Sequence, residues 1–411
     1  MKNSILDYLN KDFTEPVRDP LWQNIFLSED FKKLISLEPF QNLAGIKQLG
    51  PAYHVYPGAT HTRLSHSLGV FHIAKRIITK IIQHPDCPVL SLEGVKSFLC
   101  AALLHDLGHF PYAHSLKELP LKDHEVITGE LILKEPLSSC IKNYIGGSPL
   151  KAAAIVNFEM PDNDDKEIIF FRNILSGVLD PDKLDYLNRD AFFCGVPYGT
   201  QDTDFALTNI VPCEQGIGIT PHGITAVENL LFSKYLMYNS VYWHKTVRIA
   251  TAMIKKAVIT SLKDGAVSPE DLYLLTDNDF FSHYNEKVHP SMKLITMVNT
   301  RNLYKCVMEL PFSPSSELHK NLCDLDFRMK YENELKKDFK TTDLIIDIPE
   351  PISFEIELPV ITPDGEKSYT ESRTVFSAPV IEGFTSSIRK IRVFVPEKDL
   401  NLIDERIIRN F

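Results

Sequence analysis

Apolar residues recur at spacings of three and four along the first two-thirds of the chain, and this periodicity predicts helices. Between Leu64 and Ile82 one stripe holds Val70, Ile73, Ala74, Ile77, Ile78 and Ile81. From Gly94 to Leu107 it holds Val95, Phe98, Leu99, Ala102 and Leu103. Asp180-Pro181 reads as a helix start, with Asp as N-cap and Pro at the first helical position. Glu228 to Leu262 reads as a long apolar-rich helix, broken once. The pattern changes near Thr341. Leu344-Ile345-Ile346, Ile352 to Leu358 and Ile391 to Val395 run or alternate in β-branched residues, with turn signals at Pro349-Glu350-Pro351 and Pro363-Asp364-Gly365. A short strand is expected at Ile217 to Ile219. The chain therefore reads as mainly α: a helical unit over 1–340, its core at about 46–260, and a small α/β appendage over 341–411.

Composition narrows the chemistry. The 411 residues are 44% hydrophobic and 24% charged, which permits a large core and argues against disorder. The formal charge is −10, from 44 Lys+Arg against 54 Asp+Glu. That balance, with no long basic run, argues against nucleic acid as the partner. A concentrated basic pocket for phosphates remains open to an acidic chain. Seven cysteines without a CxxC pair argue against finger-type zinc and for free thiols in a reducing cytoplasm. No signal-peptide core and no apolar run of about 18 residues is present, so no membrane span is expected.

Eight of the fourteen histidines fall between His61 and His124: His61, His66, His72, His84, His105, His109, His114 and His124. His105-Asp106 lies where an apolar helix ends. At a helix end two consecutive side chains can converge on one ion. An Asp following Leu-Cys-Ala-Ala-Leu-Leu is costly in a core unless paired or ligated. His66, near the start of the other apolar helix, can face the same point. Asp182 is the best donor of a further carboxylate. On its helix Asp182, Tyr186, Arg189 and Asp190 are expected to share a polar face, opposite Leu184, Leu187 and Ala191. A His-Asp dipeptide alone is a weak signal, and the Asp182 helix alone reads as a solvated face. The ordered set His66, His105, Asp106 and Asp182 on three helices is far harder to produce by accident. Two imidazoles and two carboxylates suit a divalent cation, with Mn, Fe, Mg, Zn and Ni all admissible.

Five stretches now carry a resemblance: 46–70, 103–115, 123–125, 180–190 and 241–248. The chain resembles the HD-domain deoxynucleoside triphosphate triphosphohydrolases and the bacterial HD phosphohydrolases close to them. It is similar to the catalytic half of the animal SAM-and-HD-domain enzymes, without a separate SAM domain. The resemblance runs from about Asp19 to the tail and implies an HD-domain helical bundle. It implies that His66, His105, Asp106 and Asp182 hold the metal. It implies that His109, His114 and His124 line the phosphates and move protons. Arg63, Lys183, Tyr186 and Asp190 then surround the triphosphate and sugar, Gln48 and Leu49 stand beside the deoxyribose, and Tyr242 supplies a ring near the sugar. Lys234 matches an Arg that grips phosphate in the animal enzymes, and Lys lacks the bidentate fork. Trp243 stands where those enzymes have a base-contacting Gln. Ser36 and Ala44 replace the acid and Arg of their guanine-nucleotide activator pocket, so a nucleotide activator, if used, is bound differently.

The expected reaction is attack of water at the α-phosphorus of a dNTP, releasing deoxynucleoside and triphosphate. Arg63, Lys183 and Lys234 would neutralise the polyanion, and His114 or His124 would protonate the leaving sugar oxygen. The resemblance also implies a homo-oligomer, dimer or tetramer. Two other readings stand beside this one. One is an HD phosphohydrolase for another nucleotide or phosphoester. The other is a non-catalytic nucleotide-sensing protein that keeps the fold.

Overall fold

The computed structural model describes residues 2–214 and 216–411, and of Ala378 the backbone alone. Its first apolar stripe folds as the helix Arg63–Gln83, with Val70, Phe71, Ile73, Ala74, Ile77 and Ile78 fully buried. The second folds as Leu92–Leu104, capped at its start by Ser91, whose hydroxyl accepts from Gly94 N. This helix stops at Leu104, three residues before the expected end, and that early stop frees His105 and Asp106 for a turn. Around this pair pack Pro149–Val156, Lys166–Leu175 and Pro181–Cys194. Asp180 caps the last of these by accepting from Lys183 N at 2.6 Å.

Gly69 sets the closest helix crossing. A Cβ there would meet Asp185 Oδ1 at 1.8 Å, so only glycine lets Pro181–Cys194 lie against Arg63–Gln83 at this depth. The expected long helix over 228–262 is two: Ile224–Met237 and Lys245–Lys263, with a single wide turn at Tyr238–Tyr242 between them. Wide turns of this kind recur at functional sites.

The C-terminal part departs from expectation in two ways. First, its sheets are not its own. Lys390–Val395 lies between Ile345–Asp347 and Lys305–Pro311, antiparallel to both. The hairpin Pro359–Thr362/Gly365–Ser368 joins the Ile210–Cys213/Gly216–Ile219 pair through a parallel bridge, Ile219 to Val360. A division at 340/341 therefore cuts across both sheets. Second, 352–358 is not a strand. Ile352 and Phe354 alternate inward, but onto the helical core rather than a ladder, so the segment is an extended strap. A helix, Ala378–Ile388, completes the region. No helix among the described residues is long and apolar enough to cross a membrane, and no disulfide forms among them.

Candidate active site

Three helix ends deliver the cluster. Arg63 and His66 occupy the first turn of Arg63–Gln83, His105 and Asp106 follow the end of Leu92–Leu104, and Asp182 is the second residue of Pro181–Cys194. His66 Nε2 lies 2.9 Å from Asp182 Oδ1 and 3.7 Å from Asp106 Oδ2. His105 Nε2 lies 3.4 Å from Asp106 Oδ1 and 3.7 Å from Asp182 Oδ1. The atoms sit at the floor of a cavity of about 550 Å³. His105 Nδ1 bonds Ala102 O at 3.0 Å, while its Nε2 is buried with no hydrogen-bond partner among the described residues. An orphaned imidazole nitrogen beside two carboxylates and a second imidazole is what a divalent cation would satisfy. The donor set therefore fits a metal ion.

The electrostatics agree. Burial opposes charge on His66, but hydrogen bonds to Asp182 and Asp185 outweigh it and push the imidazole up to about 10. Burial acts against Asp106 too, yet Arg63, His105 and His66 hold its carboxyl well below the usual range. Arg63 Nη1 donates to Asp106 Oδ2 at 2.6 Å. A second trio, Asp106, His109 and His124, also offers atoms within 4.8 Å of one another. The Arg63 cation on Asp106 disfavours a further metal there.

Behind the cluster lies a residue the sequence did not single out. Asp185 is fully buried and accepts from His66 Nδ1 at 2.9 Å and from Arg189 Nε and Nη2 at 2.8 and 2.9 Å. Trp22 Nε1 also donates to it. Arg189 turns away from the cavity to bind Asp185 and Asp19, so the expected polar face contracts to Asp182, Tyr186 and Asp190. The four-residue spacing of those three keeps them in line, whereas Arg189 is rotated off it.

The remaining expected residues divide between wall and interior. Gln48, Leu49, Arg63, His114, His124, Tyr186, Asp190, Lys234, Tyr242 and Trp243 line the cavity. His109 is buried behind them, its Nε2 3.0 Å from His114 Nε2. Burial, then Arg63, holds His109 well below its usual value, which favours its neutral form. His124 Nδ1 lies 2.7 Å from Asp123 Oδ1, which leaves Nε2 available. Asp190 joins Tyr242 and His61: it accepts from the Tyr242 hydroxyl at 2.7 Å and lies 2.8 Å from His61 Nε2. His61 belonged to the histidine cluster, but nothing in its spacing announced Asp190 as its partner. Lys183 is not on the wall. Its Nζ donates to Asp180 at 2.6 Å and to Gly177 O at 3.0 Å. Lys234 Nζ donates to Ser353 O at 2.6 Å and to Glu355 Oε2 at 3.3 Å, both on the strap.

Comparison with known proteins shows the family and the fold. The HD domain family model matches residues 63–156 and the HD associated region matches 202–408. The uncharacterized protein MJ1154 of Methanocaldococcus jannaschii is 31% identical over 402 residues, 96% of this chain and 82% of that one. The deoxynucleoside triphosphate triphosphohydrolase SAMHD1 of Bos taurus is 24% identical over 392 residues, 82% of this chain and 67% of that one. The crystal structure of a hypothetical protein from Aquifex aeolicus superposes with a TM-score of 0.74 at 26% identity, covering 95% of this chain and 99% of that one.

Proposed function

The chain belongs to the HD-domain phosphohydrolase family, and on that premise we propose that it hydrolyses deoxynucleoside triphosphates to deoxynucleoside and triphosphate, its cation held by His66, His105, Asp106 and Asp182. The observation that carries this reading is the convergence of those four residues at the floor of a 550 Å³ cavity walled by Arg63, Lys234 and two further histidines.

A bound divalent cation supplies positive charge to the phosphoryl group and acidifies water. The protein's own groups do the rest. Arg63 spends one N–H on Asp106, its Nε has no partner among the described residues, and it stands against the charge that develops at phosphorus. Lys234 extends positive charge along the wall toward the outer phosphates. His124, oriented by Asp123, or His114, backed by neutral His109, delivers a proton to the leaving sugar oxygen. Asp190 fixes the Tyr242 hydroxyl and so presents the ring to the sugar beside Gln48 and Leu49. The protein acts as an assembly of two or four copies, which sedimentation at micromolar concentration checks.

Trp243 favours one alternative. Nearly buried in the wall where related enzymes carry a Gln, it suits an HD phosphohydrolase with a different base or another phosphoester as substrate. One assay separates the readings: purified protein, a series of divalent metals, and a panel of dNTPs and NTPs, with products resolved by phosphorus NMR. Intact triphosphate with deoxynucleoside supports the proposal. Early orthophosphate or pyrophosphate moves the protein to the alternative, and no turnover with tight dNTP binding makes it a sensor.

A further inference from the structure

The strap 349–357 enters the cavity from the C-terminal region and brings acid to its most basic wall. Ile352 and Phe354 anchor it in the core, and Arg389 Nε bonds Pro349 O at 2.8 Å. The two side chains between and after the anchors, Ser353 and Glu355, face the other way. Glu355 Oε2 lies 3.3 Å from Lys234 Nζ and 3.6 Å from Lys183 Nζ. Its side chain is 40% exposed, whereas those of Lys183 and Lys234 are 11% and 7% exposed. One oxygen of a half-exposed carboxylate thus neutralises two nearly buried ammonium groups.

Charge counting makes this arrangement consequential. Lys183 already has Asp180 as a partner at 2.6 Å. Among the described residues, Glu355 is the one carboxylate within 4 Å of Lys234 Nζ. The backbone around Glu355 is pinned by its apolar neighbours, while the Glu355 side chain has solvent to swing into. A carboxylate is monoanionic, and the terminal phosphate of a polyphosphate approaches two charges with three acceptor oxygens.

We propose that Glu355 is a specificity-determining residue that occupies the Lys234 subsite as an internal counter-anion, which only a polyphosphate long and charged enough to reach it displaces. This rests on the reading of Lys234 as part of the phosphate wall. The class of ligand selected is a linear chain of three phosphates, free or esterified. A single phosphate held at the metal floor does not evict Glu355, and it binds with Lys234 still paired to the strap.

The test is calorimetric binding of inorganic phosphate, pyrophosphate and tripolyphosphate to the full metal-loaded chain at fixed free Mg²⁺. Wild type, Glu355→Gln, Glu355→Asp, Lys234→Met and the Glu355→Gln/Lys234→Met pair are compared, with thermal melting to confirm folding. Glu355→Gln is expected to tighten tripolyphosphate about tenfold and orthophosphate hardly at all. Glu355→Asp is expected to fall between, and the gain is expected to vanish in the Lys234→Met background, as a double-mutant cycle requires. Tripolyphosphate that binds wild type and Glu355→Gln equally overturns the inference and leaves the proposed function standing. Tripolyphosphate that binds neither protein overturns both.

Discussion

Asp185 accepts a hydrogen bond from His66 Nδ1 across 2.9 Å and is itself held by Arg189 and Trp22. That bond fixes the tautomer that points His66 Nε2 at Asp106 and Asp182, the arrangement that makes an imidazole a good ligand. Asp185→Asn should weaken metal affinity by about 10–100-fold while the chain stays folded. Metal content after dialysis at graded free metal measures this. Full occupancy in the variant at concentrations that half-load wild type would remove Asp185 from the site.

Without a cation, His66, His105, Asp106 and Asp182 keep a buried cluster whose protons and charges are only partly matched. Metal loading should therefore release protons and raise the melting temperature, since a ligand at 100 times its Kd stabilises by about 2.7 kcal/mol. His105→Ala and Asp106→Ala should lose both the metal and this shift together. Calorimetric melting with and without chelator, across the proposed metals, checks it. An unchanged melting temperature on chelation would argue against the site.

Much of this was legible in the chain, and the failures share a cause. The stripe at 64–82 and the order of His66, His105-Asp106 and Asp182 are local or serial signals, and sequence carries those. Asp185 was not legible because in Asp-Lys-Leu-Asp-Tyr it looks like any solvated helix carboxylate. Only a glycine in the middle of another helix, Gly69, marks where the Asp185 helix comes close enough to bury it. Arg189 was placed on the cavity face because a helical wheel does not show that Asp19, 170 residues earlier, pulls it away. The alternation at Ile352 and Phe354 is real, but period two reports one buried face and not a ladder. Nor does anything local announce that Lys305–Pro311, ahead of the 340/341 boundary, pairs with a strand some eighty residues later.

His72 provides a pH prediction away from the metal. Its ring stacks on Trp22 with centroids 5.9 Å apart. Burial, then Arg76 and Lys75, lower its pKa to about 4, against weaker opposing pulls from Asp185 and Asp19. The folded state thus holds His72 neutral while the unfolded chain protonates it near 6.5. Between these values the unfolded state binds more protons, so stability rises with pH. The contribution is complete above about pH 6.5 and is lost as pH falls toward 4. His72→Gln should flatten the stability profile between pH 4 and 6.5 relative to wild type. Urea melts at several pH values measure it, and parallel profiles would refute the assignment.

Lys183 and Lys234 were expected to act alike on the triphosphate, and the structure separates them. Lys183 Nζ is 2.6 Å from Asp180, an N-cap carboxylate 2% exposed, and takes a further bond to Gly177 O. Asp180 is itself pushed up to about 6, chiefly by burial, so it depends on that lysine to stay charged. Removing one partner of a buried pair costs about 3–5 kcal/mol, because the other charge is left in low dielectric. Lys234, by contrast, lines the cavity and has the half-exposed Glu355 as its counter-ion. Lys183→Met should therefore lower the melting temperature and leave KM near wild type. Lys234→Met should keep most of the stability and raise KM for a triphosphate substrate roughly tenfold. Metal should stay bound in both, since a protonated Lys is not a ligand. Melting curves and steady-state kinetics on the two variants decide the matter. If Lys183→Met melts as wild type does and its KM rises, Lys183 reaches the phosphates after all, and Asp180 must release it when substrate binds.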